Sequence, residues 1–424
     1  MASFSIPLTG LNADSTALNT IADDLSNMST TAFKSQSTNF ADLFYQQIGS
    51  TGSGDPIQVG AGVQVASNET DFTQGSINST GNATDVALNG NGFFVIGDGK
   101  GGFEYTRAGN FSLTSSGSLV TTSGLNVMGY PAVNGVVNTN APLSAINIPV
   151  GQVQQPQATT TLNITANLDA TASGATFPAQ VSVYDSLGAP HIATVTYTQT
   201  GANTWSYSAA LPAADFASGV STPVTGTMSF DSNGNLASVT TGGVTTPVGT
   251  AAGDISSIPL NFSGLSDGAS NLNMSWNLLS PGGTPTISQV DASSAVSATT
   301  QNGYAPGQYQ SFTIGSDGTV TVSYSNGQKQ NVGQLALANV TNLQGMQKLG
   351  DGNYATTHAS GTASIGTSGS AGLGTLQDGA LEQSNVNISA EFSNLIVAQR
   401  AFEANSKAVT TFDTVTQETI NMIH

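Results

Sequence analysis

Ionic chemistry is scarce along this chain, so the few places where it gathers can be taken one by one. The histidines are His191, His358 and His424. None has a second histidine or a carboxylate at a metal-ligand spacing beside it. A metal or catalytic role would require convergence in the fold, and each reads as a satisfied core or surface histidine. No Ser-His-Asp order or G-x-S-x-G elbow stands out. Gly97-Asp98-Gly99-Lys100-Gly101-Gly102 satisfies G-x-G-x-x-G, but a dinucleotide site needs a helix next, whose N-terminus holds the pyrophosphate. The strand-like Phe103-Glu104-Tyr105-Thr106 follows instead, so the stretch reads as a hairpin turn. Asp231, Asn233 and Asn235 open like a calcium loop, which needs Gly at its sixth position and Glu at its twelfth. Leu236 and Gly242 stand there, and this too reads as a turn. Asn-x-Ser/Thr triplets, as at Asn78, Asn82, Asn110, Asn163 and Asn261, follow from a composition rich in these residues. No catalytic residue, cofactor or metal is expected, and no enzymatic activity.

The spacing that organises the chain is apolar. From Ser384 it runs SNVNISAEFSNLIVAQRAFEANSKAVTTFDTVTQETINMIH. Ile388, Leu395, Phe402, Val409, Thr416 and Ile423 are seven apart, with Ala398, Asn405 and Phe412 on a second seam three residues on. Gly and Pro are absent after Asn385. A seam sustained for about five heptads predicts one long helix that wants a helical partner. From Ile388 to Met422 it would be about 50 Å long. Phe392 and Ile396 lie off the main seam and widen the apolar face, which suggests contact with more than one neighbouring helix. At the other end Leu11, Leu18 and Leu25 are seven apart, with Ile21 and Met28 on the adjoining seam. Pro7 falls in a first turn, where its missing N–H costs nothing. The expected first helix is 7–29. The two ends are expected to pair, and the residues expected to carry self-assembly are Leu11, Leu18, Ile21, Leu25, Met28, Ile388, Leu395, Phe402, Val409 and Phe412. A bland reading, a private helical hairpin capping one domain, uses the same seams.

Composition narrows the partners. The length of 424 residues suits two to four domains. Charged residues are 8% of the chain, against about 25% ordinarily. A neutral polar surface suits close contact between copies, because few ions are desolvated on assembly. Seven Lys plus Arg against 25 Asp plus Glu give −18, a sign that argues against nucleic acid and anionic membranes. Without cysteine there are no disulfides or thiolate metal sites. No stretch approaches the roughly 20 apolar residues that span a bilayer. MASFSIPLTG offers no basic residue and no apolar core run, so no cleaved leader is expected.

Between the ends the texture is β. TTAFKSQSTNFADLFYQQI reads as a short second helix or an irregular arm, and 50–56 as a flexible loop. Beyond Phe72, FFVI, FEYT, FSLT and SLVT are strand-like, with turns at GDGKGG and SSG. QVSVYD, HIATVTYT and WSYSAAL follow, then a hairpin turning at Asn233-Gly234, then LNFSGL and NLNMSWNLL. Asp317-Gly318 and Asn326-Gly327 are further hairpin turns. SGTASIGTSGSAGLGTLQDG reads as an extended low-complexity run. The expected fold is mainly β with paired terminal α-helices, in a nested multi-domain architecture. A coiled-coil-like helical stem with linker takes 1–70 with 381–424. An inner antiparallel β domain takes 71–144 with 290–380, and an outer β domain, 145–289, is inserted into it.

At the level of motifs the chain resembles the bacterial flagellar rod and hook axial family. SNVNISAEFSNLIVAQRAFEANSKAV is similar to that family's C-terminal motif. LNTIADDLSNMSTTAFKSQ (18–36) is similar to its N-terminal one, with Asp23 and Asp24 for the usual Asn pair and Ala32 for Gly. DVALNGNGFFVI with YTRAGNFSLTSSGSLVTTSGLNVMGY resembles the family's shared β module. VYDSLGAPHIATVTYTQTGANTWSY (183–207) resembles the outer domain of hook-type members, which the shorter rod members lack. YSNGQKQNVGQLALANVTNLQGMQKLGDGNY (324–354) resembles the stretch that follows it. The resemblance implies an extracellular tubular homopolymer, a universal joint between rod and filament, with the helices as inner tube and the β domains as outer shell. It implies contacts with the distal rod, hook cap and hook-filament junction proteins. It also implies passage, largely unfolded, through the flagellar type III export apparatus, without membrane insertion. A distal rod or other axial subunit is the near alternative, and a secreted β-rich adhesin the distant one.

Overall fold

Alternating side chains become alternating burial. Every second residue of the strands Thr161–Asp169, Pro190–Gly201 and Thr204–Ala210 faces a core, as period-two apolar patterning requires. A computed structural model describes residues 5–50, 52 and 54–422. Ile423 and His424, and two residues of the 50–56 loop, lie outside that set. The chain divides into two compact units. Unit 1 holds the chain up to Val150, Ser311–Ser323 and the chain from Lys329 onward; unit 2 holds Gly151–Gln310 and Tyr324–Gln328.

Unit 2 is two sheets around one core. Thr176–Tyr184, Pro190–Gly201, Thr204–Ala210, Val224–Phe230, Leu236–Thr241 and Val244–Pro247 follow one another as an antiparallel meander. The second sheet runs Ser257–Phe262, Leu272–Asn277, Thr161–Asp169, Ile287–Val290, with Ala295–Gln301 also on Thr161–Asp169. Ile164, Val183, Tyr197, Trp205, Leu260 and Trp276 meet between them, each fully buried. Tyr197 and Tyr207 set their rings edge-on to Trp276 at 6.1 and 5.6 Å, a favoured aromatic geometry. Asp231 is a turn residue: its Oδ1 accepts from the Asn233 and Asn235 amides at 2.8 Å.

Unit 1 interleaves early and late chain. Phe93–Gly97 pairs with Phe103–Thr106 on one side and Leu337–Asn339 on the other. Val86–Asn89 pairs with Thr375–Asp378, and Ile77–Ser79 with Ala380–Glu382. Phe93, Tyr105 and Tyr354 form the core with Phe72 against them. GDGKGG is a hairpin turn, with Asp98 Oδ1 accepting from the Lys100 and Gly102 amides. One expectation needs correction. The segment after the first helix is neither helix nor irregular arm. It forms the strands Gln36–Asp42 and Gln46–Ser50, which pair with Val63–Thr70 and Pro56–Val59. Its Ser, Thr, Asn and Gln residues alternate without an apolar signal, so only the pairing reveals them. Within the extended 360–379 run lie the short strands Ser364–Gly366 and Thr375–Asp378.

The helices are α1, Ser5–Ser26, and α2, Ile388–Asn421. They pack on each other within unit 1. Asn387 caps α2, its side chain accepting from the Ser389 and Ala390 amides and satisfying donors that a helix start leaves free.

Candidate assembly interface

α2 has 34 residues, and not one is buried. Its half-covered positions include Glu391, Leu395, Ala398, Phe402, Asn405, Val409 and Phe412. Those steps of four and three are the heptad seam, so Leu395, Phe402, Val409 and Phe412 lie on the covered side. Ile388 is exposed, and so is every residue from Asp413 to Met422, Thr416 included. Off the seam, Phe392, Ile396 and Val397 stand open to solvent, Val397 at 68%.

On α1 the seam behaves differently from the leucine pattern. Leu11, Leu18, Ile21 and Leu25 are half-buried and Met28 is exposed. The buried positions are Pro7, Gly10, Ala13, Thr20 and Asp24. Small residues have no hydropathy signal, yet they let backbones close up. A Cβ on Gly10 would lie 2.7 Å from Asn405 Nδ2. Asn405 Nδ2 donates to Asp14 Oδ2 at 2.8 Å and fixes the helix pair in register. The neighbouring face of α1 lies on the strands: Thr38 Oγ1 donates to Thr20 Oγ1 at 3.0 Å, and the Gln36 amide to Asp24 Oδ2 at 2.8 Å. Asp24 is fully buried, and its Oδ1 finds no hydrogen-bond partner among the described residues. Burial pushes its carboxyl up to about 6; the Gln36 amide opposes this, and Glu391 and Asp23 add to it.

The segments that follow α1 and precede α2 meet at an ionic cluster that the sequence reading missed. Lys34 Nζ lies 2.7 Å from Glu382 Oε1 and donates to the Thr73 carbonyl at 2.7 Å. Arg107 Nε lies 3.2 Å from Glu382 Oε2, an ionic contact without hydrogen-bond alignment. Arg107 Nη1 donates to the Gly90 and Gly92 carbonyls. All three side chains are at least 95% buried. Burial pulls the Lys34 ammonium below its usual range, against the pull of Glu382. The Ala32 amide donates to the Glu382 carbonyl at 2.9 Å, and Ala32 sits at a left-handed φ of 54°. That conformation favours glycine, which is the residue the resembling motif carries there. Asn385 accepts from the Ser35 amide and donates to the Asp71 carbonyl, both at 2.8 Å. The available signal was rarity: two of only seven basic residues gather here.

A third exposed surface is the hairpin Gln46–Ser50/Pro56–Val59. Phe44 before it is 97% exposed, and Tyr45, Ile48, Ile57 and Val59 are also open. A cavity of about 760 Å³, lined by Thr70–Gln74, Gly90–Phe93, Arg107 and Asn339–Gln344, holds one carboxylate, Asp71, and a guanidinium already engaged. It offers no acid–base pair.

These features define a class: a β-rich structural subunit whose two ends join in an incompletely covered helical stem. Three family descriptions match along the chain: the flagellar basal body protein FlaE D2 domain over 154–304, the flagellar hook protein FlgE/F/G D1 domain over 87–167, and the flagellar basal body rod FlgEFG protein C-terminal region over 377–422. The flagellar hook protein FlgE of Salmonella typhimurium is 35% identical over 99% of this chain and 100% of its own length. That of Treponema pallidum is 34% identical over 98% of both. A crystal structure of Helicobacter pylori FlgE2 aligns with a TM-score of 0.53 at 16% identity, over 72% of this chain and all of that one, a likeness of fold. The chain belongs to the flagellar hook protein family and is a structural subunit of the hook. Full-length similarity to hook proteins does not favour a rod subunit or an adhesin.

Proposed function

We propose that the chain polymerises with identical copies, through its helical stem, into a curved flexible tube that transmits torque from rod to filament. The observation that carries this is α2, a long helix with one side half-covered by α1 and no residue buried. Magnitudes favour many neighbours over one. Covering the open halves of Ile388, Phe392, Ile396 and Val397 contributes about 1 kcal/mol each, which only approaches the roughly 4–15 kcal/mol that association costs. A helical array, whose heterologous contact does not close, lets one subunit make several such contacts. Of the ten stem residues from Leu11 to Phe412 named above, the eight half-buried ones hold the helix pair in shape, and the exposed Met28 and Ile388 meet neighbouring copies with Phe392, Ile396, Val397 and the open apolar hairpin at Phe44. The low charge of the β surfaces, with 8% charged residues overall, supports softer contacts that slide as the tube bends. The proposed division of labour is stem (1–70 with 381–424), inner β part (71–144 with 290–380) and outer β part (145–289). The distal rod, hook cap and junction proteins would meet the same stem surfaces at the two ends of the tube. A cysteine-free chain suits export in an unfolded state through the flagellar type III apparatus.

Electron microscopy of concentrated protein tests the reading. Short curved tubes are expected from the natural chain and none from Val397→Asp, a change on the open side of α2, whose tryptophan fluorescence stays native. Tubes formed equally well by Val397→Asp would refute the open side of the stem as the assembling surface.

A further inference from the structure

Unit 2 contains no Lys, Arg or Glu; its charged side chains are Asp169, Asp185, Asp215, Asp231, Asp254, Asp267 and Asp291. The one side chain that can carry positive charge there is His191, and the fold buries it among three of those aspartates. His191 Nδ1 lies 2.9 Å from Asp215 Oδ2, and Nε2 lies 3.1 Å from Asp185 Oδ2. A neutral imidazole has a single N–H, and an ionised carboxylate has none to give. Both contacts are hydrogen bonds only when the ring holds two protons. Asp185 cannot turn away, because its Oδ1 accepts from the Leu187 and Ala189 amides at 2.8 and 2.9 Å. Asp267 adds a third carboxylate, with polar side-chain atoms of Asp185, His191 and Asp267 within 4.8 Å of one another.

The contacts join separate parts of the unit. Asp185 lies in the turn between Thr176–Tyr184 and Pro190–Gly201, and Asp215 in the short helical turn Ala213–Asp215. Asp267 comes from the loop between Ser257–Phe262 and Leu272–Asn277 of the other sheet, where the Ser266 amide donates to the Asp215 carbonyl at 2.9 Å. We propose that His191 is a proton-operated staple, which ties these loops together when charged and loosens unit 2 when it loses its proton at alkaline pH.

Electrostatics support the geometry. Burial disfavours the His191 charge, but the hydrogen bonds and negative charge of Asp185 and Asp215 outweigh it and hold the pKa above the ordinary 6.5. Burial likewise pushes Asp185 up, but the bonds it accepts from His191 and the Leu187 and Ala189 amides help to hold it down at about 2. The signs then follow. The raised histidine contributes stability that is complete below pH 6.5 and is lost as pH rises through its folded value. The depressed Asp185 contributes stability that is lost only as pH falls from 3.8 toward 2.

Both tryptophans, Trp205 and Trp276, are buried in unit 2, so their fluorescence follows its unfolding in the full-length chain. Denaturant titrations from pH 6 to 9, with EDTA present, compare the natural chain with His191→Gln. The unfolding constant of the natural chain should rise, by up to about tenfold per pH unit inside the window, and that of the variant should stay flat. Equal slopes in the two chains overturn the staple, as does a slope that EDTA abolishes, which would assign the site to a metal ion. Should His191→Gln fail to fold, ring NMR of the natural chain decides. A ring protonated at both nitrogens and titrating above 6.5 supports the proposal, and one titrating at or below 6.5 overturns it.

Discussion

Unit 2 and the helical stem of unit 1 show two ways of spending the same composition. In unit 2 the aromatic and aliphatic side chains close on themselves, with Trp205, Tyr197 and Trp276 at or below 1% exposure, and the interior excludes ions apart from one histidine and its aspartates. In the stem, α2 buries nothing fully and leaves Phe392, Ile396 and Val397 open, while Lys34 and Arg107 gather on Glu382 just before it in the chain. A body that satisfies its own surface is finished as a monomer. A helix that does not is finished only by neighbours, because isolated amphipathic helices are marginal in water. The ionic cluster of Lys34, Arg107 and Glu382 joins the two regimes of unit 1. It fixes where the helices leave the β framework and leaves their outer surfaces free.

The comparison can be broken hardest at that cluster. Glu382→Gln leaves a buried ammonium and guanidinium without their carboxylate, a change that costs about 3–5 kcal/mol in such settings. Amides of Phe93–Gly97 should then exchange faster by a matching factor, with tryptophan fluorescence in unit 2 unchanged. Unaltered exchange would mean that the cluster is not what anchors the stem. A smaller effect sharpens the contrast at Asp24. Its carboxyl is raised from 3.8 to about 6, so the stability it contributes is complete below pH 3.8 and lost as pH rises through 6. Asp24→Asn should remove that loss and stabilise unit 1 at pH 7 by on the order of 1 kcal/mol. The same amide exchange, at pH 4 and at pH 7, checks it. A variant no more stable than the natural chain at pH 7 would place the Asp24 charge in solvent.

Much of this was legible in the sequence, and the reasons it stopped are physical. Heptads at Leu395, Phe402 and Val409 and alternation in HIATVTYT give helix and strands because burial follows periodicity. The buried face of α1 was not legible, since Gly10, Ala13 and Thr20 carry no hydropathy signal and matter for how close they let other groups approach. Polar strands such as Gln36–Asp42 are revealed only by their pairing partners. Lys34 and Glu382 lie 348 residues apart, so no spacing rule joins them. His191 reads as a satisfied core or surface histidine; that it is buried, and that its partners are Asp185 and Asp215, needed the fold.

The claim on which the account turns is that copies of this chain cover what α1 leaves open on α2. Amide exchange over residues 390–420, on monomer and then on assembled tubes, measures it directly. The account predicts fast exchange in the monomer and a large gain in protection on assembly, with the Trp205 and Trp276 strands protected in both. Residues 390–420 equally protected before and after assembly would contradict it.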